Sequence, residues 1–192
     1  IGGMAGNNSC GARSIKYGTM RSNVLEITAI LPDGSQSKFS PEDGISESNS
    51  YWELKKSLLK LGQENSLEIE SGFPRLMRRV GGYNIDALIR EGDLEPNLSH
   101  ILVGSEGTLA FSSQLKLSLS PLPEHSVLGI CHFSDFSQAM RATKDIVSLS
   151  PTAVELVDKT MIDLASHIGA FKSVVAEAIV GQPKSVLLVE FA

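Results

Sequence analysis

Cysteine, paired histidine, clustered positive charge and long apolar runs are all scarce in this sequence, and each scarcity removes a class of protein. Cys10 and Cys131 are its two cysteines. They cannot build a disulfide framework, and neither stands at metal-ligand spacing from a histidine. Reduced thiols are expected, with Cys10 a small packing residue. His100, His125, His132 and His167 form no close pair of the zinc or iron type, so no metal is assigned. The 17 Lys and Arg against 22 Asp and Glu leave a formal net charge of -5, which argues against a nucleic-acid surface. The one basic cluster, Arg75, Arg78 and Arg79, reads as solvated or paired with Glu68 and Glu70. No apolar run approaches the ~20 residues of a membrane-spanning helix, and no charged-then-apolar leader precedes the first glycines. A cytoplasmic protein with no membrane span is the expectation.

What the chain does have is a 42% hydrophobic content over 192 residues, enough for the core of one domain, or of one plus part of another. Glycines gather in two segments, Gly2 to Gly11 and Gly104 to Gly107. Residues without a Cβ let backbone N–H groups approach a phosphate or a flat ring closely, and small polar residues between them can hydrogen-bond it. Both segments therefore read as cofactor cradles. The first opens the chain with no preceding strand, so a piece of a larger enzyme is expected.

Val24 to Leu31 reads as a strand closed by Pro32-Asp33-Gly34-Ser35, with a hairpin return through Ser37 to Phe39. Residues 40–50 are turn-rich. Tyr51, Leu54, Leu58 and Leu61 then recur at helical spacing, with Ser50 and Glu53 placed as a capping box. Phe73 to Leu88 reads as a loop entering a short helix. Ile101-Leu102-Val103 reads as a strand, a glycine turn follows, and alternation from Leu109 to Leu119 gives a second strand. A P-loop or Rossmann fingerprint would instead open its glycines into a helix. Pro121 and Pro123 cannot continue a ladder, so a domain boundary is placed there. Beyond it, strands at Val127 to Phe133, Ala153 to Val157 and Val186 to Val189 alternate with helices marked by Phe136 to Val147 and by Met161 to Ile168. The pattern is that of an α+β fold.

Three stretches together carry a resemblance: Ile1 to Gly18, Arg79-Val80-Gly81-Gly82-Tyr83-Asn84, and Ile101 to Leu109 followed by Pro121-Leu122-Pro123. They resemble the FAD-linked oxidase family, which has the vanillyl-alcohol-oxidase (PCMH) type of FAD domain and includes D-lactate, glycolate and D-2-hydroxyglutarate dehydrogenases. The stretch from Phe73 to Leu88 looks most like the long bacterial dehydrogenases that add an iron–sulfur region after the flavin part. By this resemblance, residues 1–122 are the second subdomain of the FAD-binding domain, and 125–192 begin the α+β cap (substrate) domain. The first subdomain and the rest of the cap, with the catalytic base and the substrate-carboxylate ligands, would lie elsewhere in the parent.

The resemblance implies cofactor-binding roles for Asn7, Asn8, Ser9, Cys10, Gly11, Arg13, Tyr17, Gly18, Gly104, Ser105, Glu106, Gly107 and Thr108. The amides and hydroxyls of Asn7 to Cys10 could bond ring heteroatoms or phosphate oxygens, or only hold a tight turn together. Arg13 could offset diphosphate charge and Tyr17 could pack on the cofactor, the other reading of Tyr17 being a core residue. Lys16 reads as solvated. Glu106 would accept from ribose hydroxyls or from the N–H groups that shape its loop. Ala110 departs from the family, which has glycine there, and its methyl disfavours close cofactor approach. Glu155 and Asp158 resemble a recurrent cap stretch, but a helix cap accounts for Asp158.

The activity implied is oxidation of a D-2-hydroxy acid to the 2-oxo acid by hydride transfer to flavin, with a separate electron acceptor, and with room for a homo-oligomer. An alcohol or aldehyde oxidase on the same FAD domain is the alternative enzyme reading. On its own, this stretch is expected to hold FAD weakly or not at all, to be inactive, and to behave as a folded scaffold or interaction module.

Overall fold

The computed structural model describes residues 1–41, 49–74, 76–90, 92 and 94–192. The chain divides into two compact units. The first is Ile1–Gly11 with Gly18–Ser120, and the second is Ala12–Tyr17 with Pro121–Ala192.

The first unit opens with a short helix, α1 (Gly2–Gly6). The chain then leaves it for one helical turn, α2 (Ser14–Tyr17), and returns for α3 (Met20–Asn23) and strand β1 (Val24–Ile30). The hairpin predicted from Pro32 to Gly34 forms: β2 (Gln36–Phe39) pairs antiparallel with β1, Ile27 opposite Phe39. Strand β3 (Phe111–Leu117) pairs antiparallel on the other side, giving the order β2-β1-β3. Val24, Ile27 and Ala29 are all buried, although strict alternation would send Val24 and Ile27 to opposite faces. A register shift in the β1–β3 pairing between Val24 and Glu26 resets the phase.

Helix α4 (Asn49–Glu64) covers this core through Tyr51, whose ring meets Phe39 edge-on at 5.5 Å, and through Leu54 and Leu58. Two expectations are corrected here. Ser50 lies inside the first turn of α4, so it is not its cap. Leu61 is exposed, and the position facing inward is Gly62. A Cβ on Gly62 would stand 2.5 Å from the Leu88 carbonyl oxygen, so close approach of backbone, invisible to an apolar pattern, ends the buried stripe. Helix α5 (Ser66–Gly72) and a 3-10 turn (Ile85–Leu88) follow. Ile101-Leu102-Val103 is not a strand. Ser99–Leu102 form the helical turn α6, and the three apolar side chains are buried in the core. A short apolar run cannot distinguish the two by period. Arg75 lies outside the described residues, and Arg79 pairs with Asp86 in place of Glu68 or Glu70.

The second unit is an antiparallel sheet in the order β4-β6-β5, formed by β4 (Val127–Phe133), β5 (Ala153–Asp158) and β6 (Ser185–Phe191). Central β6 is the most buried strand, as its position predicts. Helix α7 (Phe136–Val147) begins at Asp135, whose carboxylate accepts the Ser137 N–H, and buries Ala139 against Leu187 and Val189. Asp158 caps α8 (Lys159–His167) by accepting the Met161 N–H at 2.8 Å. Helix α9 (Gly169–Ala178) follows.

Candidate functional site

In the first unit, the structure joins the two glycine segments. The carbonyls of Ala5 and Gly6, at the end of α1, accept the N–H groups of Gly104 at 2.9 Å and Glu106 at 2.8 Å. The loop that follows turns on three residues with left-handed backbone, Gly104 (φ 80°), Glu106 (φ 53°) and Gly107 (φ 71°). Its hydroxyls are spent internally: Ser105 donates to the Leu102 carbonyl at 2.8 Å, and Thr108 donates to the Ser105 carbonyl at 2.6 Å. Thr108 also meets the Tyr83 hydroxyl at 2.8 Å. Ser105 and Gly104 are buried, while Glu106, Gly107 and Thr108 are exposed.

The Asn-Asn-Ser stretch divides its work in the same way. Asn7 is exposed, and its side-chain oxygen accepts from the Ser9 hydroxyl at 2.6 Å. Asn8 is buried at φ 51°, a backbone conformation that asparagine tolerates better than most residues. Its Oδ1 accepts the Arg21 N–H at 2.9 Å, and the Ser9 carbonyl accepts the Met20 N–H at the same distance. Both donors belong to the first turn of α3, which has no intrahelical acceptors for them. Cys10 carries a free thiol and is exposed, so its reading as a packing residue is corrected: two residues beyond buried Asn8, the chain has reached the surface.

Sequence reasoning gave Asn84 only as part of a motif and gave Arg21 and Asp86 no role. Asn84 is buried, donates to the carbonyls of Val103 at 2.7 Å and His100 at 3.2 Å, and accepts from Arg21 at 3.4 Å. The Asp86 carboxylate holds Arg21 at 2.8 Å and Arg79 at 2.5 Å. Burial works against its charge, but the hydrogen bonds and charge of Arg21 and then Arg79 prevail and hold its pKa below the ordinary value. Its other oxygen is buried with no partner among the described residues. Asn8, Gly18, Arg21, Arg79 and Asp86 line one cavity of about 1090 Å³ in this unit, with Asn97 and His100 at its wall. The available signal was the spacing of Arg79, Asn84 and Asp86, but nothing in a linear sequence brings Arg21 to Asp86.

Arg13 and Tyr17 belong to the second unit, and the other predicted site residues belong to the first. Arg13 donates to both carboxylate oxygens of Glu190, at 2.6 and 3.0 Å, and this partner raises its pKa. Its guanidinium is thus paired with a carboxylate of its own unit while its side chain stays largely exposed. Lys16 is not merely solvated: it donates to the Ala192 carbonyl and to Thr152 Oγ1, with its ammonium 5.6 Å from the Tyr17 ring centre. Among the described residues there is no cluster of His, Cys, Asp and Glu that could hold a metal, and no helix is long and apolar enough to cross a membrane.

The geometry allows a test of whether these residues fit a flat cofactor. A Cβ built on Gly2, Gly3, Gly6, Gly11 or Gly107 would meet nothing within 4 Å, so bare backbone stands open at both glycine segments. That suits a planar ring. The loop N–H groups of Gly104 and Glu106 are already bonded, so they are not the donors a phosphate would need.

An α+β chain with such glycine surfaces is the type of fold found in FAD-linked oxidases, and the comparisons agree. Residues 1–40 match the FAD binding domain family model, and residues 122–192 match that of the FAD linked oxidases, C-terminal domain. With both matches in this order, the chain is similar to FAD-linked oxidases in these two stretches. It is 31% identical over 176 residues to D-2-hydroxyglutarate dehydrogenase of Haemophilus influenzae, covering 87% of this chain and 17% of that protein. The same enzyme of Pseudomonas putida is 28% identical, covering 100% of this chain and 20% of the relative. The mitochondrial D-lactate dehydrogenase [cytochrome] of Arabidopsis thaliana is 26% identical over 84% of the chain and 21% of its own length. The solved structure of an alkyldihydroxyacetonephosphate synthase shares the fold, with TM-score 0.57 and 18% identity over 99% of this chain and 29% of that one. The chain thus spans about a fifth of the length of these curated relatives.

Proposed function

We propose that the protein is part of an FAD-dependent dehydrogenase that oxidises a D-2-hydroxy acid to the 2-oxo acid, with D-2-hydroxyglutarate the first substrate to test and D-lactate the second. The observation that carries this reading is the bare backbone at the two glycine segments, hydrogen-bonded to each other, in a chain similar to D-2-hydroxyglutarate dehydrogenases along its whole length. In this reading, residues 1–122 are the second FAD subdomain and 125–192 the start of the cap. Asn7, Ser9, Cys10, Gly11, Glu106 and Gly107 would face FAD, while Asn8, Gly18, Gly104, Ser105 and Thr108 hold the shape of that surface. When bound, FAD supplies the hydride acceptor. The chain's own contribution is to orient the ring and keep water from one side of it. Cytoplasmic residence, an iron–sulfur region in the same parent chain and a homo-oligomer belong to the same proposal.

Steady-state reduction of an artificial acceptor by the full-length protein, with paired D and L enantiomers, tests it. Activity confined to the D acids is expected. Equal rates for both enantiomers, or activity only on aromatic alcohols, would reject the hydroxy-acid reading, because chirality must be read by a carboxylate site and a hydroxyl-directed base together.

A further inference from the structure

The loop between α6 and β3 is held differently on its two limbs, and every group involved belongs to the first unit. The rising limb is fastened by backbone: the Gly104 and Glu106 N–H groups donate to the Ala5 and Gly6 carbonyls. Those bonds stop at Glu106. Gly107 follows at φ 71°, where even a Cβ would meet nothing within 4 Å, so no side chain packs there to fix the chain. On the descending limb, Thr108 turns both its N–H, at 3.0 Å, and its hydroxyl, at 2.6 Å, onto the Ser105 carbonyl. These two bonds close the turn on itself without tying it to the rest of the fold. The tie is Tyr83, whose hydroxyl meets Thr108 Oγ1 at 2.8 Å, one residue before Leu109 packs at the edge of the core.

The direction of that bond follows from counting protons. Thr108 has one hydroxyl hydrogen, and the Ser105 carbonyl can only accept, so Thr108 donates to Ser105 and Tyr83 donates to Thr108. Tyr83 stands on a fixed base. Its chain neighbour Asn84 is buried and bonded to the carbonyls of Val103 and His100, so the backbone that carries the phenol is anchored to the segment leading into the loop. The Tyr83 residue itself is 47% exposed, so core packing is not what it supplies. We propose that Tyr83 is a positioning residue: its hydroxyl clamps the descending limb through Thr108 and so presents the bare backbone of Gly107 to FAD in one conformation. A loop already set in its bound shape has less freedom to lose on binding, which strengthens affinity. The clamp stands on the geometry of the first unit alone, and its effect on FAD rests on the functional reading above.

The test uses the full-length protein and four variants: Y83F, which removes only the hydroxyl, T108V, T108S and Y83F/T108V. Amide hydrogen exchange over residues 106–110 reads the clamp, and fluorescence titration of the apoprotein reads FAD affinity. One exposed hydrogen bond predicts modest effects, so Y83F should speed exchange and weaken FAD binding by about 5-fold each. T108S keeps the hydroxyl and should match wild type on both readings. In Y83F/T108V, FAD should bind no more weakly than in T108V alone, because the two side chains act through one bond. If Y83F fails to fold, T108V set against T108S gives the same two readings. Unchanged exchange in Y83F would overturn the clamp. Faster exchange with unchanged FAD affinity would overturn its positioning role, and so would additive losses in the double variant. If the full-length protein binds no FAD at all, it is the functional reading that fails, and the clamp is then decided by exchange alone.

Discussion

The side-chain oxygen of Asn8 accepts the backbone N–H of Arg21 at 2.9 Å, so this residue of the glycine segment is a remote cap on helix α3. Replacing it by alanine would orphan that N–H in a buried setting and put a less tolerant residue at φ 51°. The two effects act in the same direction, about 1–3 kcal/mol for the lost partner and about 1 kcal/mol for the backbone. Asn8→Ala should lower stability by that sum, measured by urea unfolding. A midpoint matching wild type would mean that Asn8 does not carry the turn.

The part of the fold set by local pattern was legible in the sequence. The β1–β2 hairpin announced itself through Pro32 to Gly34, and Asp158 announced the helix it caps. Misreadings arose where a long-range contact decides. Ile101 to Val103 has an apolar run that suits either helix or strand, and burial under the β1 sheet does not distinguish them. The candidate site was half legible: its glycines are local features, but which polar groups remain available depends on partners 13 to 177 residues away, as with Arg21 for Asn8 and Glu190 for Arg13.

Gly62 offers a contest between two effects of known size. Alanine there should gain roughly 1 kcal/mol of helix propensity. Its Cβ, however, would lie 2.5 Å from the Leu88 carbonyl oxygen, a backbone atom that cannot swing aside. Forcing that separation open costs about 1–3 kcal/mol or more, so Gly62→Ala should be destabilising on balance. Thermal unfolding decides it, and a raised midpoint would show that α4 and the 3-10 turn can separate freely.

Asp86 should make the first unit sensitive to acid. Its carboxyl is held below the ordinary value of 3.8, because Arg21 and Arg79 outweigh burial. The folded state therefore binds its proton less readily than the unfolded state, and the stability it contributes is complete above 3.8 and lost as pH falls through the folded value. Asp86→Asn should lose about 1–3 kcal/mol at neutral pH, since two arginines are left facing each other. It should also unfold with a shallower pH dependence below pH ~4 than wild type. Parallel curves of urea midpoint against pH for the two proteins would remove Asp86 from this role.

Gly107 separates folding from cofactor binding better than any other glycine in the loop. Its φ of 71° penalises every L side chain, by roughly 1–2 kcal/mol, and a β-branched one most. Yet an added Cβ would meet nothing within 4 Å, so no packing is lost. At Gly104, by contrast, a Cβ would press on Asn8 at 3.3 Å and Asn84 at 3.6 Å, and Gly104→Ala should weaken the fold before it affects a ligand. Gly107→Val in the full-length protein should therefore fold, with a small fall in stability, and lose flavin, because its side chain fills the space where a flat ring would lie against bare backbone. Flavin content by absorbance, set beside circular dichroism of the same sample, makes the comparison. A folded Gly107→Val protein with undiminished flavin would take this loop out of the cofactor site and leave the Asn7–Gly11 segment to account for it alone.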